Sequence, residues 1–185
     1  VLTQLMLQVG GMEAGDVPAL VAAIEDWRDK DTDQHRLGAE SVYYRSLSDP
    51  YECKDGPFEH TEELLLVRGM TPALYDRIEP YVTVYGSGQL NVNTAPPAVL
   101  GLLGLSDEGL SGLRTYRSGE DSREGTEDDR LVVSLEGLVA ELEPYVPLED
   151  IARLSHLAQG QVLGTGSQAF RANITATTGR PEGTI

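Results

Sequence analysis

The chain has 185 residues, of which 40% are apolar, and its 30 acidic against 14 basic side chains give a formal net charge of −16. This apolar fraction suffices for a hydrophobic core and the length suits one or two compact domains, so a wholly disordered chain is excluded. Because proteins bind DNA, RNA and anionic lipid surfaces through Lys and Arg, the charge argues against all three partners and favours a cationic ligand.

Two helices and a long loop are predicted at the start of the chain. Apolar residues recur at steps of three and four over residues 1–27, which predicts two helices, the second with Asp16 as its N-cap. Trp27 lies on the apolar face of this second helix, and we interpret it as a core residue. The periodicity is lost over residues 29–56, which predicts a loop with a functional or metal-stiffened role.

Two helix pairs of similar length are predicted next. Thr61 is the expected N-cap of a helix that ends at Gly69, and Thr71 is the expected N-cap of the helix that follows. In the second pair, the first helix is predicted to begin after Thr94 and the second after Ser106. The sequence therefore predicts two successive helical hairpins, which form a weak internal repeat.

The rest of the chain combines loops and helices with a predicted strand. An acidic loop over residues 118–130 is followed by a short helix and by a helix over residues 148–157. Alternating apolar and polar residues near Phe170 predict a half-buried strand, which needs a partner strand to be stable. The expected fold is α+β, mainly α, with a helical domain over residues 1–160 and a C-terminal strand segment over residues 161–185.

The segment D-K-D-T-D-Q-H-R-L-G-A-E, residues 29–40, has the carboxylate spacing of a calcium loop. Positions one, three, five and twelve are occupied by Asp29, Asp31, Asp33 and Glu40. Gln34 stands where such loops need Gly, and no second helix is predicted after Glu40, so we expect a calcium site that is not an EF-hand. Oxygen ligands without a neighbouring Cys favour calcium over zinc, and the single His35 does not change this. The alternative is a solvated acidic loop, in an unfavourable place at the negative end of a helix dipole.

A second acidic cluster lies in the segment G-E-D-S-R-E-G-T-E-D-D-R. Carboxylates this dense repel one another unless a cation or solvent screens them, and Gly119 and Gly125 allow the backbone to turn its carbonyls inward. Both a second calcium loop and an exposed insertion fit this pattern. The carboxylates of this cluster are Glu120, Asp121, Glu124, Glu127, Asp128 and Asp129.

The sequence contains no constellation typical of catalysis. The three histidines, at positions 35, 60 and 156, lie in separate segments without paired spacing, and no G-x-S-x-G motif surrounds a serine. Cys53 is the single cysteine, which excludes an internal disulfide and a multi-cysteine zinc site. The protein is therefore predicted not to be an enzyme.

The motif L-N-V-N-T-A-P-P-A-V-L, residues 90–100, is the most distinctive in the chain. Other short motifs accompany it in order: Asp26-Trp27, Gly38-Ala39-Glu40, Tyr43-Tyr44, Pro57-Phe58, Glu62-Glu63-Leu64, Val67-Arg68-Gly69, Leu74-Tyr75 and residues 80–84. Together, over roughly residues 16–117, these motifs resemble the general secretion pathway protein K family, the largest minor pseudopilins of the type II secretion system.

This resemblance implies a fold, partners and a cofactor. It implies a pilin-like fold with a large helical domain inserted into the sheet, so that the Phe170 strand would be a remnant of that sheet. It also implies a non-enzymatic role in protein export across the outer membrane, in complex with two other minor pseudopilins at the tip of the periplasmic pseudopilus. The full-length protein would be anchored in the inner membrane by an N-terminal helix that this chain lacks. Calcium would bind at the positions that match the family motif, Asp29, Asp31 and Glu40.

The N-V-N-T-A string is also similar to helix-hairpin-helix modules of DNA-binding competence proteins, so a DNA-binding module is the alternative function. Those modules bind phosphate through a Gly-apolar-Gly turn flanked by basic residues. Here the turns read Arg68-Gly69-Met70-Thr71 and Leu103-Gly104-Leu105-Ser106, and each lacks the second Gly. The charge of −16 also opposes DNA binding, so no nucleic-acid partner is expected.

Overall fold

The computed structural model describes residues 1–169. Within this range the chain forms eight α-helices and one small parallel sheet, so the predicted α+β, mainly α class is confirmed. The helices are α1 Leu2–Gln8, α2 Val17–Arg28, α3 Ser41–Arg45, α4 Pro72–Ile78, α5 Pro97–Leu102, α6 Asp107–Arg117, α7 Leu138–Leu142 and α8 Leu148–Gln159. Short 3-10 helices span Thr61–Leu66 and Glu79–Tyr81, and the strands are β1 Leu90–Asn91 and β2 Leu163–Gly164.

Two clusters of buried apolar side chains fill the interior. The first core is built by α1, α2, α3 and the first helical hairpin, and the second core by α5 to α8 with the two strands. Helix α1 contacts α5, which connects the cores, and Leu102 of α5 belongs to the first core. Fully buried members of the first core include Met6, Ala23, Tyr44 and Ile78, and those of the second core include Leu138, Leu142, Leu154 and Leu163.

Helix α2 forms where it is predicted, but its predicted cap is wrong. Asp16 precedes the helix, yet its side chain makes no capping hydrogen bond. The reason is that Asp16 has nearly helical dihedral angles, φ −92° and ψ −25°, whereas a capping side chain needs an extended backbone to reach the free amides. Pro18 in the first turn supplies the favourable φ instead.

The first helical hairpin is present, but its first member differs from the prediction. Residues Thr61–Leu66 form a 3-10 helix, and the side chain that binds the backbone at its start is that of Glu63 and not that of Thr61. Glu63 Oε1 accepts hydrogen bonds from the amides of Glu59 at 2.9 Å and His60 at 3.0 Å. The second member is as predicted, since Thr71 Oγ1 accepts from the Leu74 amide at 3.2 Å at the start of α4.

Glu63 is expected to stabilise the fold in a pH-dependent way. Burial raises the pKa of its carboxyl, but the hydrogen bonds from Lys54 and from the Glu59 and His60 amides outweigh this and hold the pKa below its ordinary value of 4.5. Glu63→Gln should therefore lower the free energy of unfolding at pH 7 by about 1–2 kcal/mol, because it removes the ion pair with Lys54 at 2.7 Å.

A carboxyl group whose pKa is lower in the folded than in the unfolded state stabilises the fold at pH values above the unfolded-state pKa. This stabilisation is lost as the pH falls through the folded-state pKa. The stability gap between wild type and Glu63→Gln, measured by urea unfolding at pH 7 and at about pH 3, should therefore narrow in acid. A gap of the same size at both pH values would contradict the assigned role of the carboxylate.

The long loop predicted over residues 29–56 contains a helix that the sequence prediction missed. Helix α3 begins at Ser41, directly after Glu40, so the expectation that no helix follows Glu40 is wrong. With five residues and no polar cap it gives little sequence signal, and its place is decided by Tyr44, which is fully buried in the first core.

The small sheet joins distant parts of the second core. Leu90 pairs with Leu163 and Asn91 with Gly164 in a parallel register, so the N-V-N-T-A motif begins on a strand. Asn93 and Arg117 fix the turn after it. Asn93 exchanges hydrogen bonds with the backbone of Val132, and the buried guanidinium of Arg117 donates to backbone carbonyls within the motif.

The strand predicted near Phe170 lies outside the described residues. Within residues 1–169, none of the helices has both the length and the apolar content needed to span a bilayer.

Candidate metal centre

Acidic side chains from three segments converge next to the first core. Asp26 and Asp29 lie at the end of α2, Asp31 follows in the loop, Glu40 directly precedes α3, and Asp55 comes from the segment after it. We call these five residues the acidic cluster, in which Asp26 and Glu40 are buried, Asp29 and Asp55 are partly buried and Asp31 is exposed. Possible ligand atoms lie within 4.8 Å of one another in three groups: Asp26 with Asp29 and His35, Asp29 with Asp31 and Glu40, and Glu40 with Cys53 and Asp55.

Asp26 holds the loop against the end of α2. Its Oδ1 atom accepts a hydrogen bond from the His35 amide at 3.0 Å and contacts His35 Nδ1 at 2.5 Å. Gly38 packs so closely on the Asp26 carboxylate that a Cβ atom there would collide with it. The G-A-E sequence at residues 38–40 is therefore a packing requirement, which brings Glu40 into the cluster.

Arg68, at the turn of the first hairpin, fixes the other side of the loop. Its guanidinium donates to the Gly38 carbonyl at 3.0 Å and lies 4.9 Å from the centre of the Tyr43 ring. Its amide donates to the Tyr44 hydroxyl at 3.2 Å. The hairpin, α3 and the acidic loop thus form one packed unit.

Two carboxylates of the cluster are buried, and several of its oxygens lack a hydrogen-bond partner. Asp26 is fully buried and Glu40 is 3% exposed. Both carboxylate oxygens of Glu40, and one oxygen each of Asp26, Asp29 and Asp55, have neither solvent contact nor a hydrogen-bond partner. Burying a polar group without a hydrogen bond costs about 1–3 kcal/mol, and a charged group costs more.

Mutual repulsion adds to this cost. Two carboxylate charges 4.8 Å apart repel by roughly 3–4 kcal/mol at an effective dielectric constant of about 20. Burial and the neighbouring charges of Asp26, Asp55 and Asp29 raise the pKa of Glu40, and burial and Asp31 raise that of Asp29. His35 pairs with Asp26 and Asp29, but within residues 1–169 no cationic side chain pairs with Glu40, and a divalent cation would supply that charge.

The structure brings together three of the four carboxylates predicted in the first acidic segment. Asp29, Asp31 and Glu40 form one of the three groups. Asp33 is exposed and belongs to none of the groups found among residues 1–169, and its amide donates to Asp31 Oδ1 at 2.9 Å.

The second acidic segment is arranged differently. Asp128 Oδ2 accepts from the amides of Glu120 and Asp121, at 2.6 and 3.0 Å. The hydrogen bond from the Thr126 hydroxyl, and after it these two amide bonds, hold the pKa of Asp128 below its ordinary range. Asp129 Oδ2 accepts from the Gly125 amide at 2.6 Å. The loop thus uses several carboxylates to bind its own backbone. None of Asp121, Glu124, Glu127, Asp128 and Asp129 belongs to a metal-ligand group found within the described range.

Sequence reasoning missed three members of the site. Asp26 was hidden by its position inside a helix, although it precedes Asp29 by three residues and so lies on the same helix face. Asp55 and Cys53 reach Glu40 only through tertiary packing. The sequence argument for oxygen ligands assumed that no Cys is near, and this is wrong, since the Cys53 thiol lies within 4.8 Å of a Glu40 oxygen.

The described fold is similar to one found in a solved type II secretion structure. It matches a chain of the crystal structure of the GspK-GspI-GspJ complex from the enterotoxigenic Escherichia coli type 2 secretion system, with a TM-score of 0.62 and 20% identity. The match covers 90% of this chain and 55% of that chain. Residues 1–87 match the family described as type II secretion system (T2SS), protein K. The resemblance to the protein K family that the sequence motifs indicated is thereby confirmed over residues 1–87.

Curated proteins agree with this assignment. The chain is 42% identical over 87 residues to type II secretion system protein K of Aeromonas hydrophila and 40% identical over 86 residues to that of Klebsiella pneumoniae. Each match covers 45% of this chain and 26% of the relative, so the matched region spans about a quarter of these relatives. A putative protein K of Escherichia coli K12 is 31% identical over 83 residues, which are 45% of this chain and 25% of that protein.

Proposed function

We propose that this chain is the helical domain of a minor pseudopilin and assembles with other minor pseudopilins at the tip of the type II secretion pseudopilus. One observation carries the proposal: the described fold matches, over 90% of the chain, a chain from a complex of three such proteins. The family match of residues 1–87 is independent support, because it rests on sequence alone.

The domain acts as a rigid building block and not as an enzyme. Two of its arginines are engaged in packing: the Arg68 guanidinium binds Gly38 and Tyr43, and Arg117 binds the N-V-N-T-A motif. The proposed location is the periplasm, in a protein anchored in the inner membrane, where it supports export across the outer membrane. Shape and surface complementarity would then carry the function.

Calcium is the proposed cofactor of this domain. The donor set supports it, since Asp29, Asp31 and Glu40 offer only carboxylate oxygens, the ligands that calcium prefers. Glu40, 3% exposed and with both oxygens unpartnered, supports it independently. Bound calcium would offset negative charge in the acidic cluster. It would also hold the end of α2, the acidic loop and the start of α3 together.

The alternative, a DNA-binding module, has less support. In a helix-hairpin-helix module the basic residue at the turn faces phosphate, whereas Arg68 is committed to the Gly38 carbonyl and the Tyr43 ring. The formal charge of −16 also disfavours DNA. A gel-shift assay at low salt, where electrostatic binding is strongest, decides between the two functions, and retention of DNA at micromolar protein would reverse this ranking.

Assembly is tested by copurification. This chain, mixed with purified homologues of GspI and GspJ from the same organism, should elute with them as one complex in size-exclusion chromatography. Asp33→Asn, a change in an exposed carboxylate outside the ligand groups, is the matched control and should behave as wild type. If the chain elutes alone while circular dichroism shows it folded, the proposed role is wrong.

A further inference from the structure

A cavity of about 350 Å³ lies beside Glu40, and neither Asp29 nor Asp31 is among its lining residues. Glu40, Cys53 and Asp55 line it, and one ligand atom from each lies within 4.8 Å of the other two. At this distance one cation can contact all three side chains. The cavity opens to solvent, so a cation has a path to them.

The fold holds the thiol next to the Glu40 carboxylate. Ser41, which directly follows Glu40, accepts a hydrogen bond from the Cys53 amide at 2.9 Å through its side-chain oxygen. The Cys53 thiol is 6% exposed and donates weakly to the Asp26 carbonyl at 3.7 Å. Contacts with Asp26 and Ser41, which flank the acidic loop, thus position Cys53.

The carboxylates beside the thiol lack partners. Both Glu40 oxygens and Asp55 Oδ1 are buried without a hydrogen bond, and Glu40 is 3% exposed. This observation does not depend on the cysteine, and it points to a missing positively charged ligand. Burial, with the charges of Glu40 and Asp55, raises the pKa of the Cys53 thiol to about 12, so without a metal the sulfur keeps its proton.

We propose that Glu40, Cys53 and Asp55 form a binding site for a thiophilic divalent cation of the Zn²⁺ or Cd²⁺ type. A thiolate sulfur selects such soft cations, which calcium is not, and the two carboxylates supply oxygen ligands to the same ion. As the metal–sulfur bond forms, the thiol releases its proton to solvent. The site shares Glu40 with the proposed calcium site but does not need calcium to be bound.

Cadmium titration tests the proposal. Cd²⁺ added to the chelator-stripped chain should produce an ultraviolet thiolate-to-metal charge-transfer band that saturates at one ion per chain. Because Cys53 is the only cysteine, any such band reports this site alone. Absence of the band at saturating Cd²⁺ overturns the proposal.

Two variants locate the site. Cys53→Ser should abolish the band and weaken Cd²⁺ binding, measured by calorimetry, by at least about tenfold. Glu52→Gln is the matched control, since Glu52 lines the same cavity but pairs with Arg45 and belongs to none of the ligand groups found in residues 1–169. An unchanged Cd²⁺ affinity in Cys53→Ser, or a loss of the band in Glu52→Gln, would contradict the assignment.

A labelling experiment on the wild-type chain tests the proposal without any variant, so it does not depend on whether Cys53→Ser folds. Zn²⁺ should slow alkylation of Cys53 by iodoacetamide at least about tenfold, because a metal-bound thiolate is a poor nucleophile. Equal rates with and without Zn²⁺ would oppose the proposal. If calcium binds but Cd²⁺ gives no band, the thiophilic site is wrong and the calcium proposal stands. If Cd²⁺ gives the band but calcium does not bind, the calcium proposal is wrong and the thiophilic site stands.

Discussion

Calcium at a hundredfold excess over its dissociation constant is expected to raise the free energy of unfolding of the chelator-stripped chain by about 2.7 kcal/mol. For a domain of this size the melting temperature should rise by about 5–11 °C. The reason is that the folded state alone brings Asp29, Asp31 and Glu40 within 4.8 Å of one another, so only the folded state binds the ion well. Calorimetric titration and thermal melting measure the effect directly.

The effect of Glu40→Gln on the free energy of unfolding should change sign when calcium is added. In the metal-free protein the variant should be at least as stable as wild type, because an amide in place of Glu40 removes a buried charge that repels Asp26, Asp29 and Asp55. In saturating calcium the variant should be less stable than wild type, because it has lost a ligand. Asp33→Asn is again the control and should keep the calcium response. If calcium gives no heat and leaves the melting temperature of wild type unchanged, the calcium proposal fails.

Trp27→Ala is expected to have the largest effect of any single change discussed, about 3–5 kcal/mol of unfolding free energy. Trp27 is 3% exposed and packs edge-to-face on Tyr44, with ring centres 5.1 Å apart, and on Tyr51 at 6.2 Å. Removing the indole leaves a void between α2 and α3, directly beneath the acidic cluster. Urea unfolding, with calcium absent to remove ligand effects, measures the loss.

Trp27→Phe is the matched control. The indole N–H of Trp27 is buried without a hydrogen-bond partner, so phenylalanine removes an unsatisfied polar group while it keeps an aromatic ring against Tyr44. The expected loss is below about 1.5 kcal/mol. A loss as large as that of Trp27→Ala would show that the N–H has a partner that the structure does not record.

The local chemistry of the chain determined which elements the sequence could predict. Thr71 and Ser106 cap helices as predicted, because a side-chain cap acts over three residues and leaves a local signature. Helix α3 was missed because it is short and is stabilised by the burial of Tyr44, which periodicity does not reveal. The helix predicted from Thr61 is a 3-10 helix, because the Glu63 carboxylate binds amides that precede it.

The candidate site was predictable only where its ligands are close in sequence. The spacing of Asp29, Asp31 and Glu40 carried enough information to place them in one site. Cys53 and Asp55 come from beyond α3, and their approach depends on the hydrogen bond between Ser41 and the Cys53 amide. No periodic pattern encodes such a contact, since it depends on how α3 packs.

The pairing of β1 with β2 orders the events of biogenesis. Because Leu90 pairs with Leu163, the second core cannot form completely until residue 163, near the end of the described range, has been synthesised. Almost all of the first core, and every ligand proposed for either cation, comes from residues synthesised before β1. The first core, with its proposed ion ligands, can therefore fold first, and the second core can then fold against it.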